Sequence, residues 1–259
     1  MSGKNSILNI YDEVFSSNHV LSKGIIKQHI QKIKELDQVL PHNSSFFILT
    51  NTTFNNFPFV SLNFQRHLGL DPEKMKTEGS RYWLSQVHPD DLPVWVNMLN
   101  DLMQFTMTQI KPEKRRYLSY TWNFRVRKSN GKYVNLYEHQ SPMELDEDGK
   151  PIVGLGHITV IGNGDEMPIK ASVCILNDEN EYETIYSRNY SGLALIEEIS
   201  NRERDIIRLL VLRKSSKEIA QLLHISRHTV DTHRRNILKK LNLKSTGEMV
   251  AYAQLHQLY

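Results

Sequence analysis

A chain of 259 residues is long for one compact domain, so two domains are expected. With 39% hydrophobic and 24% charged residues it reads as globular, which excludes a disordered polymer. The net charge of +3 hides an asymmetry: residues 201–259 carry 12 Lys and Arg against 5 Asp and Glu, net +7, which leaves −4 for residues 1–200, the pattern of a polyanion-binding module on a mildly acidic body.

The first fifteen residues, MSGKNSILNIYDEVF, contain Asp12 and Glu13 and no long apolar stretch, so no signal peptide is read there. No run reaches about 18 apolar residues, and no membrane partner is expected. Cys174 is the only cysteine, which excludes an intramolecular disulfide and a thiolate metal cluster. A cytoplasmic location is the expectation. Residues 1–41 form an N-terminal helical segment, in which Ile26, His29, Ile30, Ile33, Leu36 and Leu40 make a stripe suited to a sheet or to a second subunit.

Residues 42–188 read as α+β. Strand-like runs fall at 46–50, 57–62, 117–127, 132–142 and 151–161, with Asn130-Gly131 and Asp148-Gly149 as hairpin turns between the last three. A helical stretch at about 63–106 separates the second run from the third, so an antiparallel sheet of about five strands with inserted helices is expected. His88-Pro89-Asp90-Asp91 reads as a helix start with Pro89 at the first helical position and acids at the positive helix end. Phe46, Phe59, Trp83, Trp122 and Tyr137 are read chiefly as core. Residues 168–188 look like a further hairpin with Asp178-Glu179-Asn180 at its tip, and 189–199 like a linker.

The segments NFQRHLGLDPEKM, YWLSQVHPDDLPVW and NFRVRKSNGKYVNLYEHQSPMELDEDGKPIVGLGHITV follow the order of a PAS domain, which this region resembles over about 120 residues. The resemblance implies a sensory or dimerising domain whose sheet and helices can enclose a small-molecule ligand. No cysteine is placed for a flavin adduct and no axial ligand suits a haem, so no cofactor is expected.

Residues 200–259 read as an all-α unit. Ser200…Glu203, Ser215…Glu218 and Ser245…Glu248 each match a capping box, and Ser226 offers a fourth N-cap. They start helices near 201–213, 215–223, 227–241 and 246–257. In the third, Ile237 and Leu241 each lie within about 20° of Val230 at 100° per residue. His228, Thr232, Arg235 and Lys239 lie on the opposite side. The short connection Leu223-His224-Ile225-Ser226 sets helices two and three as a helix-turn-helix. The i, i+5 spacing of His228 and His233 does not align on a helix, so no metal site is expected.

The pattern SNRERDIIRLL…SSKEIAQLLHISRHTVDTHRRNILKKLNL resembles the LuxR/FixJ-type DNA-binding domain of bacterial transcription regulators over about 60 residues. Two positions depart from that pattern: Arg213 stands where the family usually has Gly, suggesting a turn of slightly different shape, and Asn242 replaces Gly after Lys-Leu. Thr232 and Arg235 are base-edge candidates, with Asp231 either accepting from a cytosine amine or tuning Arg235. Lys217, Ser226, Thr229, Arg234, Lys239 and Lys240 are phosphate candidates. The resemblance implies that the fourth helix, through Met249, Val250 and Ala253, pairs two copies; the alternative is that it closes the small core.

The reading is a sequence-specific DNA-binding transcription regulator with a PAS-like sensory or dimerising domain. Its partners are double-stranded DNA, a second copy of the chain, a small molecule in the PAS-like domain and RNA polymerase. The alternative is an interaction protein whose helix-turn-helix binds another regulator and not DNA. An enzyme needs a nucleophile–base pair, metal cluster or phosphate loop, and none is found in the sequence. A phosphorylatable receiver needs alternating βα units, which residues 42–188 lack.

Overall fold

The computed structural model describes residues 2–15, 23–190, 199–241 and 243–256, and the chain divides into two compact units, Met1–Arg188 and Asn189–Tyr259. Most of the expected linker at 189–199, and Asn242, lie outside the described residues.

In the first unit, α1 (Ser2–Phe15) and α2 (Lys23–Val39) precede β1 (Ser45–Asn51) and β2 (Asn56–Val60). Then come α3 (Leu62–Leu68), α4 (Pro72–Thr77), α5 (Ser80–Gln86), α6 (Asp91–Gln109) and a 3-10 turn (Pro112–Tyr117). β3 (Leu118–Arg127), β4 (Tyr133–Leu145), β5 (Pro151–Gly162), β6 (Lys170–Leu176) and β7 (Tyr182–Asn189) complete it. The sheet order is β2-β1-β5-β4-β3-β6-β7. The five strands expected from sequence are the first five of that order. The hairpin at 168–188 is not separate from them, because β6 adds to the edge of β3 through Tyr120↔Val173 and Trp122↔Ala171.

Period-two alternation sends side chains to both faces, and helices cover each. On one face Phe46 meets Phe64 edge-on at 5.5 Å, and Phe124 meets Trp83 at 6.0 Å and Trp95 at 5.3 Å. On the other, Ile33 of α2 is buried with Leu49, Phe59 and Val153, and Ile26 and Ile30 pack beside it. The α2 stripe therefore lies on the sheet, while Leu36 stays 42% exposed. Tyr137, expected in the core, is 43% exposed. Its register partner Thr159 also faces away from the buried Glu138 and Ile158 that flank the pair, so the ring stands on the more polar outer face.

The helix start at His88-Pro89-Asp90-Asp91 falls later than the sequence suggests. Asp91 is the first helical residue and Asp90 the N-cap, so Pro89 precedes the helix. The cause is a competing use of these residues. Beyond its pairing with β6, β3 has an open edge, which needs cover. His88 N–H donates to the Arg125 carbonyl at 2.8 Å, and Val87 bridges to Val126. The buried Asp91 carboxylate accepts the Arg125 N–H at 2.8 Å and pairs with its guanidinium at 2.5 Å. A carboxylate placed here keeps the Arg125 guanidinium above its ordinary range, through that hydrogen bond first.

Three hairpins use one device. Lys128–Lys132, Asp146–Lys150 and Asn177–Glu181 each close a three-residue loop, with Gly131, Gly149 and Asn180 at positive φ in the last loop position. That is a type I turn with a left-handed residue, not the two-residue turn that Asn-Gly alone suggests.

The second unit has α7 (Asn201–Val211), α8 (Ser216–Leu222), α9 (Arg227–Lys240) and α10 (Thr246–His256). The Ser200/Glu203 and Ser215/Glu218 capping boxes both form. At α10 only half of one does: Ser245 accepts the Glu248 N–H at 3.1 Å, but the Glu248 carboxylate takes the N–H of Lys244. Ile206, Ile207, Leu210, Ile219, Val230, Ile237, Leu241, Met249 and Ala253 make one core. No described helix is long and apolar enough to cross a membrane.

Arg213 adopts φ +58, the left-handed conformation that Gly takes without strain. The Lys214 N–H reaches the Leu209 carbonyl at 3.0 Å and the Arg213 N–H that of Leu210 at 2.9 Å, a Schellman closure of α7. The turn thus has the shape a glycine favours, with an arginine bearing the strain. Arg213→Gly is expected to stabilise the second unit by about 0.5–1 kcal/mol, and Arg213→Val to destabilise it by a similar amount or more. Urea unfolding of the three proteins, followed by far-UV circular dichroism, measures this.

Candidate nucleic-acid interface and internal cavity

The α8–α9 connection is a second Schellman closure. Ile225 N–H donates to the Ala220 carbonyl at 3.0 Å and His224 N–H to that of Gln221 at 3.3 Å, with His224 at φ +52. The Arg202 guanidinium donates to the Leu223 carbonyl, one of the acceptors the helix end leaves open. Ser226 then caps α9 through the Thr229 N–H at 3.0 Å. The sharp turn follows from a helix stop and a helix start with only His224 and Ile225 between the C-cap Leu223 and the N-cap Ser226.

Val230 and Ile237 are fully buried and Leu241 is 7% exposed, which fixes the rotation of α9 about its axis. His228, Arg235 and Lys239 are exposed on the far side, with Thr232 half-buried among them and accepting from the Arg235 guanidinium at 3.2 Å. Lys217 is exposed at the first turn of α8, and Ser226 and Thr229 stand at the first turn of α9. The structure thus brings together two base-edge candidates and most phosphate candidates.

Three of the sequence candidates are paired with groups of their own unit. The Arg234 guanidinium donates to Ser216 Oγ at 2.5 Å and Thr246 Oγ1 at 2.6 Å, linking α9 to α8 and α10. Asp231 accepts from Ser216 Oγ at 2.8 Å and lies 3.8 Å from Arg234 and 3.9 Å from Arg227, so its neighbours are these groups and not Arg235. Lys240 Nζ sits 2.7 Å from the buried Glu203 carboxylate. Burial alone raises the Glu203 carboxyl; Lys240 and the Ser200 N–H and hydroxyl more than reverse this, holding it below the usual range. The i, i+3 step from Asp231 to Arg234 was visible in sequence, but the Ser216 and Thr246 hydroxyls that complete the brace come from other helices.

Met249 and Ala253, expected between two copies, are 0% and 1% exposed within the core of their own unit. They cannot meet a second copy from this fold, because the four short helices need them to close the core. Val250 is half-buried at the edge of that core. Among the described residues no group of three or more His, Cys, Asp or Glu is placed to hold a metal ion.

The first unit holds a partly open cavity of about 100 Å³ between the sheet and its helices. All three tryptophans of the chain, Trp83, Trp95 and Trp122, line it, with Phe57, Leu99 and Leu102. Of these, Trp83 and Trp122 were read from sequence chiefly as core. Tyr11 and Phe15 of α1 reach it, Tyr11 stacking on Trp95 at 6.2 Å. The polar members include Glu138, Gln140, Thr50 and Thr52, with Tyr11 and Tyr120. Glu138 is 6% exposed and accepts from Trp122 Nε1 at 3.2 Å. Burial pushes its carboxyl up to about 8, against the smaller opposing effect of that hydrogen bond.

Residues 197–253 match the family model described as bacterial regulatory proteins, luxR family, and residues 57–158 match the PAS fold. The transcriptional regulatory protein MctR of Rhizobium johnstonii is 45% identical over 58 residues, 22% of this chain and 27% of that protein. The transcriptional regulatory protein TdiR of Thauera aromatica is 48% identical over 60 residues, 23% of this chain and 26% of that protein. The chain thus spans about a quarter of the length of these relatives. A structure of the Vibrio cholerae VqmA dimer, a LuxR-type receptor, aligns over 88% of each chain at 14% identity with a TM-score of 0.31.

The raised Glu138 carboxyl sets a pH dependence. Below the ordinary glutamate range both folded and unfolded chains hold the proton, and the full stability of the first unit is present. Between that range and about 8 only the unfolded chain has lost it, so stability declines as pH rises and levels off above. Thermal melts from pH 5 to 8 are expected to show this decline, and Glu138→Gln to remove roughly 5 °C or more of it.

Proposed function

We propose that this chain is a sequence-specific, DNA-binding transcription regulator acting as a homodimer. In this reading α9 enters the major groove, and the PAS-fold unit senses a small molecule or holds two copies together. The observation that carries it is the outward face of α9, where Thr232, Arg235 and Lys239 stand opposite a fully buried stripe in a unit matching the luxR family. An exposed basic face on a helix-turn-helix is what a duplex needs from a reading helix.

Thr232 and Arg235 read base edges in this proposal. Lys217, Ser226, Thr229 and Lys239 position the backbone phosphates. Asp231, Arg234 and Lys240 act within the unit, holding α9 at its angle. The same reading places the protein in the cytoplasm, with RNA polymerase as a further contact.

The test is a binding-site selection with the full chain, followed by titrations at several salt concentrations. A selected site with a two-fold inverted repeat is expected, since one reading helix spans too few base pairs to select a genomic site. Arg235→Ala should cost about 1–3 kcal/mol per half-site and relax preference at one symmetric position. Lys239→Ala should weaken all sequences alike and reduce the slope of log K against log salt by about 0.9 per half-site. Val250→Asp should lose cooperative binding to the repeat while keeping non-specific binding, with circular dichroism to check that the unit stays folded. No binding at low salt would overturn the DNA reading and favour a protein target for the same face.

A further inference from the structure

In the first turn of α9 the fold leaves one polar side chain without a task. The Ser226 and Thr229 hydroxyls lie 2.8 Å apart, and the Arg227 guanidinium leans on Asp231 at 3.9 Å. One turn further on, Asp231 and Arg234 belong to the brace to α8 and α10. His228 stands beside them, exposed, and among the described residues its imidazole meets no hydrogen-bond or ionic partner.

Its direction is set by the same buried stripe that sets Arg235. Val230 is fully buried. At 100° per residue, Arg235, His228 and Thr232 fall at about 140°, 160° and 200° from it, on one side of the helix and opposite the core. At 1.5 Å per residue, His228 precedes Thr232 by about 6 Å and Arg235 by about 10 Å, which is about two and three base-pair steps of a duplex. His228 therefore lies at the end of a reading helix whose side chains reach base edges.

The chemistry of this side chain differs from that of its neighbours on the face. A neutral imidazole has a single N–H, so it makes one donor contact where an arginine makes two. In the major groove, the acceptor that two of the four bases share is the purine N7; guanine alone adds O6 beside it, which suits the bidentate arginine. We propose that His228 is a third base-reading residue of α9, donating its ring N–H to a purine N7, so that each half-site prefers purine over pyrimidine about three base pairs from the position that Arg235 sets. The inference rests on the DNA-binding reading above and adds to it a residue and the class of base it selects.

The test is a binding-site selection with the full chain, as wild type and as His228→Ala. The variant should lose a purine preference at one symmetric position and keep the preference that depends on Arg235. On the selected site, that purine is then replaced by its 7-deaza analogue, which removes the N7 acceptor and leaves base pairing intact. With both half-sites replaced, the wild type should bind about four- to hundredfold more weakly, the square of the two- to tenfold that one neutral hydrogen bond is worth. His228→Ala should respond by less than about twofold. The slope of log K against log salt should be the same for both proteins, because a base contact by a neutral group releases no counterions. Three results would overturn the proposal while the DNA reading stands: no purine preference that depends on His228, an equal response of both proteins to the 7-deaza site, or a salt slope lowered by the substitution, which marks a phosphate contact. Failure of the wild type to bind any duplex would overturn the DNA reading, and this inference with it.

Discussion

The burial of Val230, Ile237 and Leu241 decides what the second unit presents to its surroundings. Three apolar side chains within an arc of about 40° can be satisfied in only one rotation of α9. Turning the helix by one residue, 100°, would expose them and bury charge, at a cost of several kcal/mol. With the rotation fixed, Thr232, Arg235 and Lys239 have no choice but to face outward. Two polar braces then hold the helix along its shoulders: Glu203–Lys240 to α7, and Ser216–Asp231–Arg234–Thr246 to α8 and α10. Neither brace substitutes for the stripe. They fix the tilt of a helix whose facing is already set by the hydrophobic core.

The first unit follows a different logic, in which polar groups are admitted to the interior under strict conditions. Asp91 is tolerated there because it meets both the N–H and the guanidinium of Arg125, and so seals the open part of β3. Glu138 has no such cation, and the fold accommodates it by keeping it neutral. Gly154 and Gly156 complete the arrangement from below. A Cβ at Gly154 would fall 2.1 Å from Gln140 Nε2, so this glycine is required by the amide crossing over it. The cavity is therefore a consequence of strand register: Gln140 pairs with Gly156, and Glu138 with Ile158.

Much of this was legible in local pattern. The strand runs, the long α6, the α2 stripe, two of the three capping boxes and the four short C-terminal helices all depend on side chains within one helical turn or one strand alternation. Where the reading shifted, a distant partner had intervened. The helix at His88–Asp91 starts late because Asp91 and His88 are used by Arg125. Arg213 adopts a glycine-like conformation because the Schellman closure of α7 outweighs the strain on one residue. The hairpin at 168–188 is part of the sheet because β3 left an edge for β6 to join.

By itself, the sequence determined which helix carries the basic face, since hydrophobic periodicity and caps are properties of neighbouring residues. It could not decide which polar residues of that helix remain for a ligand. Asp231, Arg234 and Lys240 look equivalent to Arg235 and Lys239 in the chain, and are separated from them only by hydroxyls and a carboxylate contributed by α7, α8 and α10. Met249 and Ala253 likewise went to the core, packed with Ile206, Ile207, Leu210 and Ile237 of the other helices. The cavity was wholly a matter of tertiary structure. Glu138, Gln140, Thr50 and Gly156 lie on three strands, and only antiparallel register brings an unmet amide oxygen and a neutral carboxyl over the same glycine.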